Sequence, residues 1–211
     1  MNDVVVCNDL AGLPAILQPS VQLLHWQRPL PPAIAPYLAG LAADGRLRLG
    51  LRGQLSPGEQ PDLSAWPAAP GRDAAAADLA LLADLFGTLL GCPQVGWHIE
   101  VLQHAMCPRF HVDRTGIRLV CTWQGAGTEW LAEADADRRY LGAASGGLPD
   151  VASGLMRSQQ VGRSVAGEVL LLKGSLWQGN AGRGAIHRSP AVDGDVPRVM
   201  LALDALWEQG G

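Results

Sequence analysis

The 211-residue chain has a single lysine, Lys173, and only 17% of it is charged. It carries 16 basic and 20 acidic side chains, with no Lys/Arg cluster. A nucleic-acid binder needs a basic face to track phosphates, so nucleic acid is not expected as a partner. No apolar run approaches the roughly 18 residues of a membrane span, and no membrane association is expected. The first basic residue is Arg28, so the opening "MNDVVVC" lacks the charged region and the long apolar core of a signal peptide. The expectation is a cytoplasmic protein. The four cysteines, Cys7, Cys92, Cys107 and Cys121, form no C-x-x-C pair, which argues against a structural zinc knuckle. They read as reduced thiols that pack as small hydrophobes. No repeat, no G-x-S-x-G and no H-E-x-x-H is present, and "GAGTEW" lacks the third glycine of a dinucleotide fingerprint.

Apolar residues make up 48% of the chain, enough for a sizeable core. Residues 31–50 read as a short helix ended at Gly45, and residues 53–72, rich in Pro, Gly and Ser, as a loop. "DAAAADLALLADLFGTLLG", residues 73–91, is the clearest helix. Asp73 is placed to cap its start and Gly91 its end. Leu79, Leu82, Phe86 and Leu89 share one face, which Leu81 and Leu85 widen, so this helix should pack on a sheet. From residue 95 the pattern becomes that of strands. "GIRLVCTW" (116–123) puts Ile117, Leu119, Cys121 and Trp123 on one side and Arg118, Val120 and Thr122 on the other. "VGWHIEVLQ", "GEVLLLKGSLW" and "RVMLALDAL" are further strands, while residues 133–166 read as a long loop with one short helix. The fold class is α+β, mainly β, with the helix packed outside a sandwich or barrel. Residues 1–94 form a helical and loop region and 95–211 a β core, within what reads as one domain overall.

Chemistry concentrates in "CPRFHVDRTGIRLVC", residues 107–121. On a helix, His104, Cys107 and His111 would share a face suited to zinc, but Pro108 opposes that helix. Extended, His111 and Asp113 fall on the same face, about 7 Å apart along the chain. Alone the pair is also what a strand-end histidine bonded to a turn would give. His187, in "GNAGRGAIHRSP", supplies the context. Two imidazoles and one carboxylate form the ligand set of a non-haem Fe(II) site, with one face open. Zinc accepts the same set, and by strict alternation Cys107 shares parity with His111 and Asp113. Arg198 opens the strand that follows, where its guanidinium could hold a carboxylate by a bidentate fork. Trp123, Glu129, Trp130, Trp177 and Asn180 sit on segments that could line a barrel mouth, as weaker candidates for substrate contact; core packing is the alternative for the tryptophans.

The series "HVD … GEVLLLKG … IHRSP … RVMLALD" resembles the double-stranded β-helix (jelly-roll, cupin-like) of 2-oxoglutarate/Fe(II)-dependent oxygenases. The resemblance implies His111, Asp113 and His187 as metal ligands, Arg198 as anchor for 2-oxoglutarate, and an oxygenase acting on an unknown substrate. Two departures stand out. Many such enzymes carry a serine two residues after the arginine, where this chain has Met200. The helper tyrosine is not evident, since the chain has only Tyr37 and Tyr140. More closely, "CPRFHVD", "RLVCTWQGAGTEWL", "LLKGSLW" and "HRSP" look like a bacterial family known only as a domain of unknown function. Its members are linked to zinc-responsive gene neighbourhoods, which implies a role in metal homeostasis. A non-catalytic zinc-binding barrel is therefore the rival expectation, and a cupin-type metal-dependent hydrolase or isomerase the third.

Overall fold

The computed structural model describes residues 3–192 and 196–207. Two sheets face one another. The larger has seven strands: β1 (Val4–Cys7), β2 (Leu23–Trp26), β3 (Leu51–Leu55), β4 (Gln94–Leu102), β5 (Ile117–Gln124), β8 (Val169–Lys173) and β10 (Arg198–Leu206). Their spatial order is β1-β2-β8-β5-β10-β4-β3. The smaller sheet sets β6 (Glu129–Leu131) between β7 (Gly162–Arg163) and β9 (Ile186–Arg188). Every pairing is antiparallel except that of β1 with β2. Neighbours in the large sheet are mostly distant in sequence, and beside the smaller sheet an isolated bridge joins His111 to His187 of β9.

Alternation along β5 builds both faces of the large sheet. Ile117, Leu119, Cys121 and Trp123 enter the main core. There they meet Leu79, Leu82 and Phe86 of α2 (Pro70–Leu90) and Ile34, Leu38 and Leu41 of α1 (Ile34–Ala43). Val120 points the other way, into the smaller core between the sheets, with Leu23, Trp130, Leu170, Leu172 and Ala202. The expected strands and the outer helix are thus present. Burying a leucine or phenylalanine is worth about 1.5–3 kcal/mol, so the α2 face contributes substantially to holding the large sheet rigid.

Several details differ from the sequence expectation. Helix α2 starts three residues before Asp73, at Pro70, with Ala69 as its cap. Proline suits the first helical position because its missing N–H has no intrahelical partner there. Gly91 ends the helix in the left-handed conformation (φ 66°), as expected. Leu81 is 48% exposed, outside the stripe that Leu79, Leu82 and Phe86 bury. Residues 1–94 are more than helix and loop: they also supply β1, β2 and β3. The 133–166 region holds three short 3-10 turns, Glu133–Asp135, Arg138–Tyr140 and Gly142–Ser145, rather than one helix.

Candidate metal centre

His111 sits on an isolated bridge opposite His187 of β9. Their backbones exchange two hydrogen bonds, His111 N–H to the His187 carbonyl and the reverse, both 3.0 Å. This pairing sets the imidazoles side by side, with ring centroids 4.5 Å apart. The chain then turns, and Asp113 is fixed by its own carbonyl, which accepts the Ser175 N–H at 2.9 Å. Asp113 Oδ1 lies 3.3 Å from His111 Nε2 and 3.8 Å from His187 Nε2. One ligand atom from each of the three residues lies within 4.8 Å of the others.

The tautomers follow from the partners of the other ring nitrogens. His111 Nδ1 lies 2.9 Å from the Arg109 carbonyl, and His187 Nδ1 lies 3.0 Å from the Ala185 carbonyl. A carbonyl only accepts, so each Nδ1 carries the proton. In the neutral rings the Nε2 lone pairs are left facing Asp113. Burial holds His187 far below the usual imidazole value, at about 4. The hydrogen bond with Asp113 raises His111. Burial pushes the Asp113 carboxyl up, but the His111 hydrogen bond and the Arg118 charge more than reverse it, leaving the carboxyl well below the usual range. A deprotonated carboxylate beside two Nε2 lone pairs suits a divalent, borderline metal, and all three donors fit one.

The cleft beside the three residues, about 90 Å³, is lined by Arg118, Val120, Thr128, Ser189, Met200 and Ala202 among others. Thr128 and Ser189 of this lining also contact Arg198, which does not itself line the cleft. Arg198 is only 1% exposed. Its Nε donates to the Ala126 carbonyl at 2.8 Å and its Nη2 to Thr128 Oγ1 at 2.9 Å and Thr122 Oγ1 at 3.2 Å. Its Nη1 makes only a 3.5 Å contact with Ser189 Oγ. Among the described residues no carboxylate forms an ion pair with it, and burial lowers its pKa to about 10. The glycines of "GAGT" have a local use: Gly125 (φ +85°) lies against the Arg198 side chain, and a Cβ on Gly127 would land on the Ser164 carbonyl.

The weaker candidates fall elsewhere. Trp123 is fully buried on the helix side of the large sheet, its Nε1 donating to Asp78 Oδ2 at 2.8 Å. Odd parity on β5 sends it away from the cleft. Glu129 is buried in ion pairs with Arg163 and Arg188 (2.7 Å to the latter). Trp130 packs between the sheets, edge-on to His25. Trp177 packs against the main core. Asn180 is consumed by a turn, its Nδ2 donating to the Gly174 carbonyl at 2.9 Å. None of these five lines the cleft. Cys107 does line it, but its thiol is outside the three-residue cluster. The chain from 103 to 110 bends instead of running as a strand, so parity counting fails there. Sequence reasoning overlooked Thr122, Thr128 and Ser189 around Arg198, and gave Arg118 and Asp204 no role. The inward parity of Thr122 and Arg118 on β5 was the one available signal.

The sequence matches the family described as "Protein of unknown function (DUF1826)" over residues 7–204. No protein of curated function matched it. Among solved structures, the chain is similar to AtDAO1, dioxygenase for auxin oxidation 1 from Arabidopsis thaliana, solved with 2-oxoglutarate. Identity is 11%, with 99% of this chain and 94% of that one covered, at a TM-score of 0.51. It is also similar to a dioxygenase for auxin oxidation in rice (14% identity, 98% and 83% covered, TM-score 0.46) and to a Pseudomonas putida prolyl-4-hydroxylase (17% identity, 95% and 100% covered, TM-score 0.42). The first of these likenesses shows a shared fold.

Proposed function

This chain belongs to the DUF1826 family, and we propose that it is an oxygenase that uses Fe(II) and 2-oxoglutarate on a double-stranded β-helix. One observation carries the reading. A cluster of two histidines and one aspartate lines a cleft, and two further lining residues, Thr128 and Ser189, contact a buried guanidinium without a carboxylate partner among the described residues. A zinc store or carrier has a use for the first and none for the second. The 2-oxoglutarate bound to AtDAO1, a chain of the same fold, points the same way.

In this reading His111, Asp113 and His187 hold the metal, their orientation set by the Arg109 and Ala185 carbonyls and by Ser175. When bound, Fe(II) with 2-oxoglutarate supplies the activation of dioxygen that the side chains lack. Arg198 receives the far carboxylate of 2-oxoglutarate through its lightly used Nη1, while Thr122 and Thr128 fix the guanidinium plane. Those hydroxyls take the place of the serine and tyrosine common in such enzymes. Met200, Val120 and Ala202 give the cleft apolar walls that limit water and strengthen the carboxylate–guanidinium attraction. The test is anaerobic preparation with Fe(II) and an assay for succinate formed from 2-oxoglutarate, alongside calorimetric titration of 2-oxoglutarate. Succinate formation that requires Fe(II) is the expected result. A protein that binds metal but neither binds nor consumes 2-oxoglutarate at millimolar concentration would overturn the proposal.

A further inference from the structure

The proposed function leaves one charged cluster beside the site without a role. Arg118 projects from β5 on the cleft side, directly opposite Asp204 of β10. Its Nε and Nη2 both donate to Asp204, at 2.9 Å each. The remaining arm does not point to water. Arg118 Nη1 donates to Asp113 Oδ2 at 2.7 Å. An ordinary cross-strand ion pair needs only the first two contacts.

We propose that Arg118 is a positioning residue that restricts Asp113 to one-oxygen ligation, with Asp204 holding Arg118 in place. The inference rests on the reading of His111, Asp113 and His187 as a metal centre. A free carboxylate can bind a cation through one oxygen or two. Here Oδ2 is occupied by the guanidinium, and only Oδ1 faces the two Nε2 atoms, at 3.3 and 3.8 Å. The clamp therefore sets the number of protein donor atoms at three and preserves positions for other ligands. Its fixity comes from planarity: a guanidinium that holds Asp204 by two parallel bonds has one remaining direction for Nη1, and Asp113 lies in it. Partial burial of all three side chains keeps these contacts from being dissolved by water; the most exposed, Asp204, is 30% accessible. Asp204 also lies six residues after Arg198 on the same face of β10. One strand thus carries both Arg198 and the residue that braces Arg118.

The test uses Co(II), whose visible absorption reports coordination number, in the full-length protein under anaerobic conditions. Removing Arg118 alone would also remove a positive charge and draw cations electrostatically, so the deciding variant is Arg118→Met with Asp204→Asn, which leaves net charge unchanged. It should bind Co(II) about 10- to 100-fold more weakly, the usual loss when a metal ligand's own partner is removed. Its visible bands should weaken as Asp113 turns to two-oxygen ligation. Arg118→Lys, which keeps the charge and a single donor, should fall between it and the wild type. If the double variant does not fold, Asp204→Asn alone should still change the Co(II) bands, because Arg118 then loses its fixed plane. A folded variant with wild-type affinity and an unchanged spectrum would show that the cluster is only structural. Wild-type protein that binds no Co(II) would instead overturn the metal centre itself, and with it the role of Arg118.

Discussion

Replacing Arg198 with methionine separates ligand binding from stability, because the two depend on the guanidinium with opposite sign. The side chain is 1% exposed, and burial lowers its pKa from the usual guanidinium value to about 10. At neutral pH, below both values, it is charged folded and unfolded alike, so the full desolvation penalty applies. The shift corresponds to a penalty of about 3 kcal/mol on the charged state. Methionine fills similar volume without that penalty. It leaves the Ala126 carbonyl and two threonine hydroxyls short of a donor, a loss of about 1–3 kcal/mol for the buried carbonyl. The terms nearly cancel, and unfolding by denaturant should give apo proteins within about 1–2 kcal/mol of each other. Binding should behave differently. Truncating one side of a buried, charge-assisted pair costs roughly 2–5 kcal/mol. Affinity for 2-oxoglutarate should therefore fall at least about 30-fold, measured by calorimetry on anaerobic Mn(II)-loaded protein. The stabilisation that ligand at 100-fold excess over Kd gives the wild type, about 2.7 kcal/mol, should fall to about 0.9 kcal/mol or less in the variant at the same ligand concentration. Arg198→Lys should recover binding only in part, since a point charge cannot reproduce the fork. A variant that loses several kcal/mol of stability yet binds 2-oxoglutarate like the wild type would refute the reasoning. Arg198 would then be a structural hub for the 125–128 loop.

Other perturbations follow from the same geometry. Alanine at His111, Asp113 or His187 should sharply reduce Fe(II), Mn(II) or Co(II) affinity with circular dichroism unchanged, whereas alanine at His98 or His104, outside the cluster, should not; equal affinity in all variants would rule out the site. Metal affinity should fall as pH falls through a value above 6.5, because a proton on His111, held there by Asp113, must leave before the metal binds. His187, at about 4, stays neutral across this range, so titrations from pH 8 to 5.5 should show a loss that approaches tenfold per pH unit below the His111 value, and not a hundredfold. In the core, Asp78 holds Arg28 at 2.6 and 2.9 Å and Trp123 at 2.8 Å. Asp78→Ala should destabilise the protein by about 3–5 kcal/mol in chemical denaturation, since it strands a buried guanidinium. A loss below about 1 kcal/mol would mean that Arg28 reaches water instead.

Local chemistry in the sequence determined a good deal. Alternation from Ile117 to Trp123 set the two faces of β5, because a strand has only two sides. The leucines of α2 required a sheet to cover them, and Gly91 marked the helix end, which it makes in the left-handed conformation open to glycine. His111, Asp113, His187 and Arg198 stood out by residue type and order. Four other facts needed the third dimension. Residues 111 and 187 meet only because antiparallel neighbours in this fold are far apart in the chain. The threonines around Arg198 and the Asp204–Arg118–Asp113 chain depend on strand register, where a shift of one residue would send each side chain to the opposite face. Trp123 lies on the covered face of a regular strand, and Cys107 lines the cleft from a bend where alternation has no meaning, outside the three-residue cluster. The charge states also come from the fold. Burial keeps His187 neutral and lowers Arg198, and no count of residues along the chain contains that information.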